Sequence, residues 1–189
     1  MSTSYESVFK CIDTSVHSLT YRWKIYCELF DSGEDSITLL NSSGASVFGL
    51  LQRLLLDDTI LCLSRLTDPA SSGKDKDNAS FQYLIDLARS TLDASIIAEI
   101  DIKLNQLDQH VKNIRAYRMK ALAHADLKHA TKAVVLPNIR YDELEVAMQL
   151  CRDLMLKLGT KDIYRTGYSA IIPFGEGPAT LFRLLRAGR

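Results

Sequence analysis

Residues Ser95–Ala125 read SIIAEIDIKLNQLDQHVKNIRAYRMKALAHA. Apolar or small side chains fall at Ile97, Ile100, Leu104, Leu107, Val111, Ile114, Ala121 and Ala125, at helical spacing. Positions three and four apart share one face of an α-helix, so the spacing predicts a helix from about Asp93 or Ala94 to about His124. Arg118 occupies the place in that series where another apolar residue is due. A guanidinium facing a core is costly unless an anionic group meets it. Arg118, with His124 near the expected helix end, is therefore where function is sought first.

The same period extends outward on both sides. Tyr5, Val8, Phe9, Ile12, Val16, Leu19, Trp23, Tyr26 and Phe30 predict a first helix of about seven turns. Asp31 to Asn41, with Gly33, reads as an interruption. A second helix is expected from near Ser43, turning Val47, Leu51, Leu54, Leu55, Leu61, Cys62 and Leu66 inward. Asp58 and Arg65 fall on that same apolar face, seven residues apart and so stacked. They form either an internal ion pair or part of a cleft shared with Arg118.

Thr67 to Ala79 reads as a loop, and Ser80 as the cap of a short helix carrying Phe81, Leu84, Ile85 and Ala88. Asp126 to Asn138 is irregular. A helix from about Asp142 turns Leu144, Ala147, Met148, Cys151, Leu154 and Leu158 inward and ends with Gly159 as its C′ residue. Thr160 to Gly177 has no period, and Pro178 opens a short last helix through Leu181, Leu184 and Leu185. Ala133-Val134-Val135-Leu136 is a weak strand signal; there is no repeat and no linker. The expectation is one all-α domain over residues 1–189, with its core at about 5–159. It is a bundle of four or five main helices with a short C-terminal helix.

Composition narrows the function classes. With 23 basic and 23 acidic residues the formal charge is zero, so any polyanion must be met by a local patch rather than by the whole molecule. Cys11, Cys27, Cys62 and Cys151 form no Cys-x-x-Cys pair, and are expected to be reduced thiols in apolar surroundings, as in a cytoplasmic protein. Residues 1–10 do not read as a signal peptide, and no apolar run approaches the ~20 residues of a membrane span. No Glu-x-x-His pair, phosphate-binding glycine loop or Gly-x-Ser-x-Gly elbow occurs, so neither metal nor cofactor is expected.

The residue types around Arg118 point to phosphodiester chemistry. Lys112, Arg115, Lys120, Lys128 and Lys132 make this the most basic stretch of the chain, offset by Asp108 and Asp126. On a straight helix residues 118 and 124 lie about 120° apart, with Ala121 adjacent to both. A histidine exchanges protons near neutral pH, and an arginine holds a phosphate and stabilises charge developing on phosphorus. Together they could cleave RNA without metal through attack by the 2′-hydroxyl. The bland alternatives are that His124 caps a helix C-terminus and that Arg118 pairs with Asp58 or Asp126. His17, His110 and His129 are read as solvated or structural.

The Arg-x5-His element, the Leu63-Ser64-Arg65-Leu66-Thr67-Asp68-Pro69 run within Asp57 to Pro69, and Arg118 to Asp126 as Arg-x-Lys-x-x-Ala-His-x-Asp together resemble the HEPN superfamily, specifically its AbiU-type abortive-infection branch. The resemblance spans roughly Val47 to Gly159. It implies a HEPN bundle that forms a homodimer whose two motifs share one cleft. Such a protein often acts as a metal-independent endoribonuclease in toxin–antitoxin or phage-defence systems. Arg118 and His124 match the two required positions of the signature; Lys120, Asp126, Arg115, Lys112, Asp58 and Arg65 are the supporting or RNA-binding candidates. RNA, a second copy of the chain and an antitoxin or other protein are the implied partners, with no membrane. Two departures stand out: Met119 follows the arginine where active members often carry Asn, Asp or His, and Asp126 stands where HepT-type toxins carry a modifiable tyrosine. The alternative function is a non-catalytic bundle that binds RNA, a nucleotide or a protein through the same cleft.

Overall fold

The structure is a computed structural model that describes residues 4–74, 76–123, 136–159, 168 and 170–188. Among these residues it is all-α, with seven α-helices and one π-helical stretch. They are α1 (Tyr5–Phe30), α2 (Glu34–Leu66), α3 (Phe81–Ala88), α4 (Ala94–His110), α5 (Lys112–Tyr117), the π stretch (Arg118–Ala123), α6 (Tyr141–Leu158) and α7 (Pro178–Ala187). The count exceeds the expected four or five because the long helix ending near His124 is divided. Val111 sits at φ −88°, ψ 0°, which separates α4 from α5, and the backbone changes to π geometry at Arg118. The hydrogen-bond ladder runs through the first break, Val111 N–H to Leu107 O and Arg115 N–H to Val111 O. The apolar stripe therefore stays buried across it.

Contacts divide the chain into two compact units, one of Met1–Val16 and Ile60–Tyr168, the other of His17–Thr59 and Ser169–Arg189. In the first unit Ile100, Leu107, Val111 and Ile114 are fully buried, as are Leu144, Ala147, Cys151 and Leu154 of α6. α4 and α6 pack together, and each buried Leu or Ile there contributes about 1.5–3 kcal/mol of transfer free energy. Lys103 ties α4 to Asp153 of α6 at 2.7 Å. Burial works against the charged Asp153, but hydrogen bonds from Lys103 and Gln149 outweigh it and lower its pKa. Ser80 caps α3 by accepting from the Tyr83 N–H, as expected, and Phe81, Leu84, Ile85 and Ala88 are all buried.

In the second unit Leu29, Leu39, Leu40 and Phe182 form a core, with Ile25, Phe30, Phe48, Leu181 and Leu185 packed against it. Pro178 takes the first turn of α7, as its fixed φ allows.

Three expectations are corrected. α2 begins at Glu34 rather than near Ser43, because Gly33 (φ +110°) supplies the reversal and Glu34 and Asp35 place acidic groups in the first turn. Its helical geometry breaks at Gly44 (φ 164°, ψ 63°), and that break is what resembled a start. Second, Val47, Leu50, Leu51 and Leu54 do not face a core: they are 40–60% exposed. Toward the C-terminal end of α2 the buried residues are Thr59, Ile60, Leu63, Ser64 and Leu66, which lie on a different face. Third, Cys11 is exposed and Cys27 and Cys62 half-buried, so only Cys151 is a fully buried thiol. Its pKa is raised, chiefly by burial. At Gly159 the backbone is extended, so α6 ends without a left-handed residue. The Ala133 to Val135 part of the weak strand signal lies outside the described residues, and no helix among those described is long and apolar enough to cross a membrane.

Urea denaturation at low protein concentration should separate the two kinds of leucine. Leu107→Ala is expected to cost about 2–5 kcal/mol through the cavity it leaves. Leu51→Gln should stay within about 0.5 kcal/mol. A large loss at Leu51 would mean that the α2 stripe is already covered within one chain. Because the folded pKa of Asp153 is lowered, its contribution is present above the ordinary carboxylate range and lost as pH falls through it. Asp153→Asn should therefore flatten the acid limb of the stability–pH curve, measured by the same denaturation.

Candidate functional site

The site forms where α5 and the π stretch meet the end of α2. A helix leaves its last carbonyls without partners, and a cation there satisfies them and complements the dipole. Arg115 does this: its guanidinium donates to the Thr67 carbonyl, Nε donates to Thr67 Oγ1 at 3.1 Å, and Nη2 donates to Asp108 Oδ1 at 2.6 Å. Thr67 Oγ1 in turn donates back to the Leu63 carbonyl at 2.9 Å. The end of α2 is thus fixed, and Asp68 follows it directly.

Arg118, three residues beyond Arg115, reaches Asp68. One nitrogen, Nη1, donates to both carboxylate oxygens at 3.1 and 3.0 Å. Both side chains are about three-quarters buried. Among the described residues Nε and Nη2 of Arg118 have no hydrogen-bond partner, so three of its five N–H groups remain to be offered. A cavity of about 250 Å³ lies on the Asp68 and Arg115 side, lined by Thr67, Asp68, Pro69, Gln82, Leu104, Asp108 and Arg115 and not by Arg118. That is smaller than a typical small-molecule pocket and suits one group of a larger ligand rather than a whole cofactor.

The structure therefore brings Thr67 and Asp68, from the Asp57 to Pro69 stretch on which the resemblance rests, against Arg115 and against Arg118, the first residue of the Arg118 to Asp126 stretch. Of the supporting candidates, Arg115 is present but occupied as a helix cap. Lys112 is exposed and Lys120 half-buried, near Arg118 in sequence, neither with a described partner. Met119 is exposed. His124 and Asp126, with Lys128, His129 and Lys132, lie outside the described residues. Asp58 belongs to the second unit, where it meets Arg22 at 2.8 Å. Arg65 is exposed and makes no described side-chain contact. The internal Asp58–Arg65 pair is accordingly replaced by Arg22–Asp58. Arg118 meets Asp68; of the two carboxylates weighed as its structural partners, Asp58 meets Arg22 and Asp126 lies outside the described residues.

Sequence reading missed Asp68 and Thr67 as parts of the site. The available signal was position: both stand at the end of an apolar-periodic run and just before Pro69, where a helix terminus needs capping. The local charge is also lower than the basic run suggested, since Asp68 and Asp108 balance Arg118 and Arg115. Six-residue π segments are rare and often mark functional positions, and this one begins at Arg118 itself. Among the described residues no group of three or more His, Cys, Asp or Glu is placed to hold a metal ion.

Residues 4–161 match the AbiU2 family of HEPN domains. The match covers well over half of the chain, which therefore belongs to that family. No curated protein and no solved structure gave a significant match.

A double-mutant cycle of Arg118→Ala and Asp68→Ala, read by urea denaturation, should give a coupling of about 0.5–2 kcal/mol, between the values for exposed and buried pairs. Arg115→Met should cost more than Arg118→Ala, because it strips the end of α2 of its donors as well as an ion pair. The reverse order would mean that Arg118, not Arg115, holds the helix end.

Proposed function

We propose that this protein is a metal-independent endoribonuclease of the HEPN type that works in the cytoplasm in a toxin or phage-defence role. The observation that carries the reading is Arg118 itself. It is largely buried yet tethered through a single nitrogen to Asp68, with donors left over, at the start of a π segment that leads toward His124. Arg115 spends Nε and Nη2 on three fixed acceptors and keeps only Nη1, whereas Arg118 spends Nη1 on one carboxylate and keeps Nε and Nη2. A phosphate-binding arginine keeps some in reserve.

In this reading Asp68 aims the guanidinium, and Arg118 binds a non-bridging phosphate oxygen and stabilises the charge that grows on it. His124 handles protons. The 2′-hydroxyl loses its proton and its oxygen bonds to the adjacent phosphorus. The bond from phosphorus to the 5′-oxygen breaks, and that oxygen takes up a proton. The products are a 2′,3′-cyclic phosphate and a 5′-hydroxyl end. One histidine supplies about 10²–10⁴-fold as acid or base, so two copies, each contributing one, account for both proton transfers. The exposed apolar stripe of α2 supports a second copy, because contiguous exposed leucines on a single chain mark a protein-binding surface. RNA, the homodimer and an antitoxin or other protein remain the partners of this reading. Lys112 and Lys120 are additional phosphate contacts in it.

A second reading has one observation in its favour. Met119, at the position where active HEPN proteins often carry a polar residue, is exposed and apolar. On that reading the bundle binds RNA, a nucleotide or a protein without cleaving.

The experiment is incubation of pure protein with end-labelled RNA in EDTA. Cleavage to 2′,3′-cyclic phosphate ends is expected, with His124→Ala and Arg118→Ala each losing 10²-fold or more. Intact RNA that binds with measurable affinity would establish the second reading instead. Sedimentation should give twice the 21.2 kDa chain mass, and Leu51→Glu with Leu54→Glu should return it to the monomer. A wild-type monomer at all concentrations would remove the paired cleft.

A further inference from the structure

The second unit holds a cavity that the function above does not use. It is about 450 Å³, within the range of sites for small organic ligands, and it opens between α7, the Lys24 turn of α1 and the loop of residues 171–177. Pro173 to Glu176 form a turn closed by Glu176 N–H to the Pro173 carbonyl, with Gly175 at φ +89°. A positive φ at the third position is what a type II turn requires, and glycine meets it without strain. Phe174 stands at the second position of that turn and is fully exposed, and Ile171 beside it is 78% exposed. The loop also closes tightly on α7, since a Cβ at Gly177 would sit 2.5 Å from Ile172 Cγ2. Lys24 Nζ fastens its other end by donating to the Ala170 carbonyl at 2.9 Å. The phenyl ring is held in water by a built turn.

The charged groups of the same cavity are unequal. Lys24 is engaged with Ala170 and lies 3.8 Å from Glu28, which it offsets. Arg183 also lines the cavity, and it is exposed and has no ion-pair or hydrogen-bond partner among the described residues. The cavity therefore presents one uncommitted guanidinium and one exposed aromatic ring, with Thr180 also in its lining. A ligand that answers both carries a planar π surface and an anionic group.

We propose that this cavity binds a nucleotide unit, with the base stacked on Phe174 and the phosphate on Arg183. Base–aromatic stacking is tolerant of base identity, and a guanidinium takes phosphate bidentately. The unit can come from a free mononucleotide or from one nucleotide of single-stranded RNA. Only the RNA source rests on the function proposed above.

The test measures binding of AMP, and separately of a short fluorescent single-stranded RNA, to the full-length chain. It compares wild type, Phe174→Ala, Phe174→Trp and Arg183→Glu. Phe174→Ala and Arg183→Glu should each weaken binding about tenfold or more, in line with about 1–3 kcal/mol for one stacked base. Phe174→Trp should preserve it. Binding of AMP marks a free nucleotide as the ligand, whereas binding of RNA alone marks a subsite for the strand. If neither probe binds, or if binding ignores Phe174 and Arg183, the proposal is overturned. Capture of phospholipid vesicles through Phe174 with no nucleotide binding would overturn it as well. Cleavage of RNA by a protein that fails these binding tests would refute the cavity proposal and leave the ribonuclease reading standing. Sound nucleotide binding with intact RNA would do the opposite.

Discussion

The candidate site depends on how the last turn of α2 is terminated. Its C-terminal carbonyls need donors: Thr67 and Asp68 serve those of Leu63, Ser64 and Arg65, and Arg115, from a segment about fifty residues later in the chain, holds Thr67 through its carbonyl and hydroxyl. That contact fixes where Thr67 ends the helix and where Asp68 begins the loop. Arg118, one helical turn after Arg115, then meets Asp68. The two arginines have the same chemistry and nearly the same surroundings, but they do different work. Arg115 uses its donors on a carbonyl, a hydroxyl and Asp108, whereas Arg118 uses one nitrogen on one carboxylate. Three fixed acceptors from two segments mark the first as a strut. The donors left on the second are the chemical resource of the site.

Much of the helical skeleton was legible because burial imposes a period. The α1 series from Val8 to Tyr26 lies buried where the spacing put it, and the α4 and α6 stripes do too. The start of α2 was hidden by polar residues, yet its determinants are local: Gly33 to turn the chain, and Glu34 and Asp35 to meet the helix dipole. Ser42 adds a further compensation by donating to the Thr38 carbonyl at 2.9 Å, which lets a hydroxyl-rich stretch stay helical. Periodicity in α2 was misjudged for a different reason. It reports that Val47, Leu51 and Leu54 share a face, and it says nothing of what covers that face. Within one chain the answer is water.

At the site, sequence carried the anomaly and not its resolution. Arg118 in an apolar series was visible from spacing alone. Its partner was not, because Asp68 lies 50 positions away and nothing in a linear pattern couples the two. The candidates weighed for the pairing were Asp58 on the α2 apolar face and Asp126 on the following turn. Asp58 instead meets Arg22, an ion pair between α1 and α2 that no periodicity announces. The π stretch was equally invisible, since reckoning at 100° per residue presumes the α geometry that ends at Arg118.

The near-balance of charge around Arg118 constrains how an anion is recognised there. Asp68 and Asp108 offset Arg118 and Arg115, so long-range attraction falls to Lys112 and Lys120, both accessible to solvent and screened by salt. What distinguishes position 118 is directional hydrogen bonding at short range. A lysine there would give its compact charge to Asp68 and have no planar fork with which to hold a second oxyanion. A guanidinium serves the carboxylate from one nitrogen while presenting the others along a different edge of the same plane. On the proposed function, the arginine at this core-facing position meets two anionic partners at once, one built into the fold and one brought by the ligand.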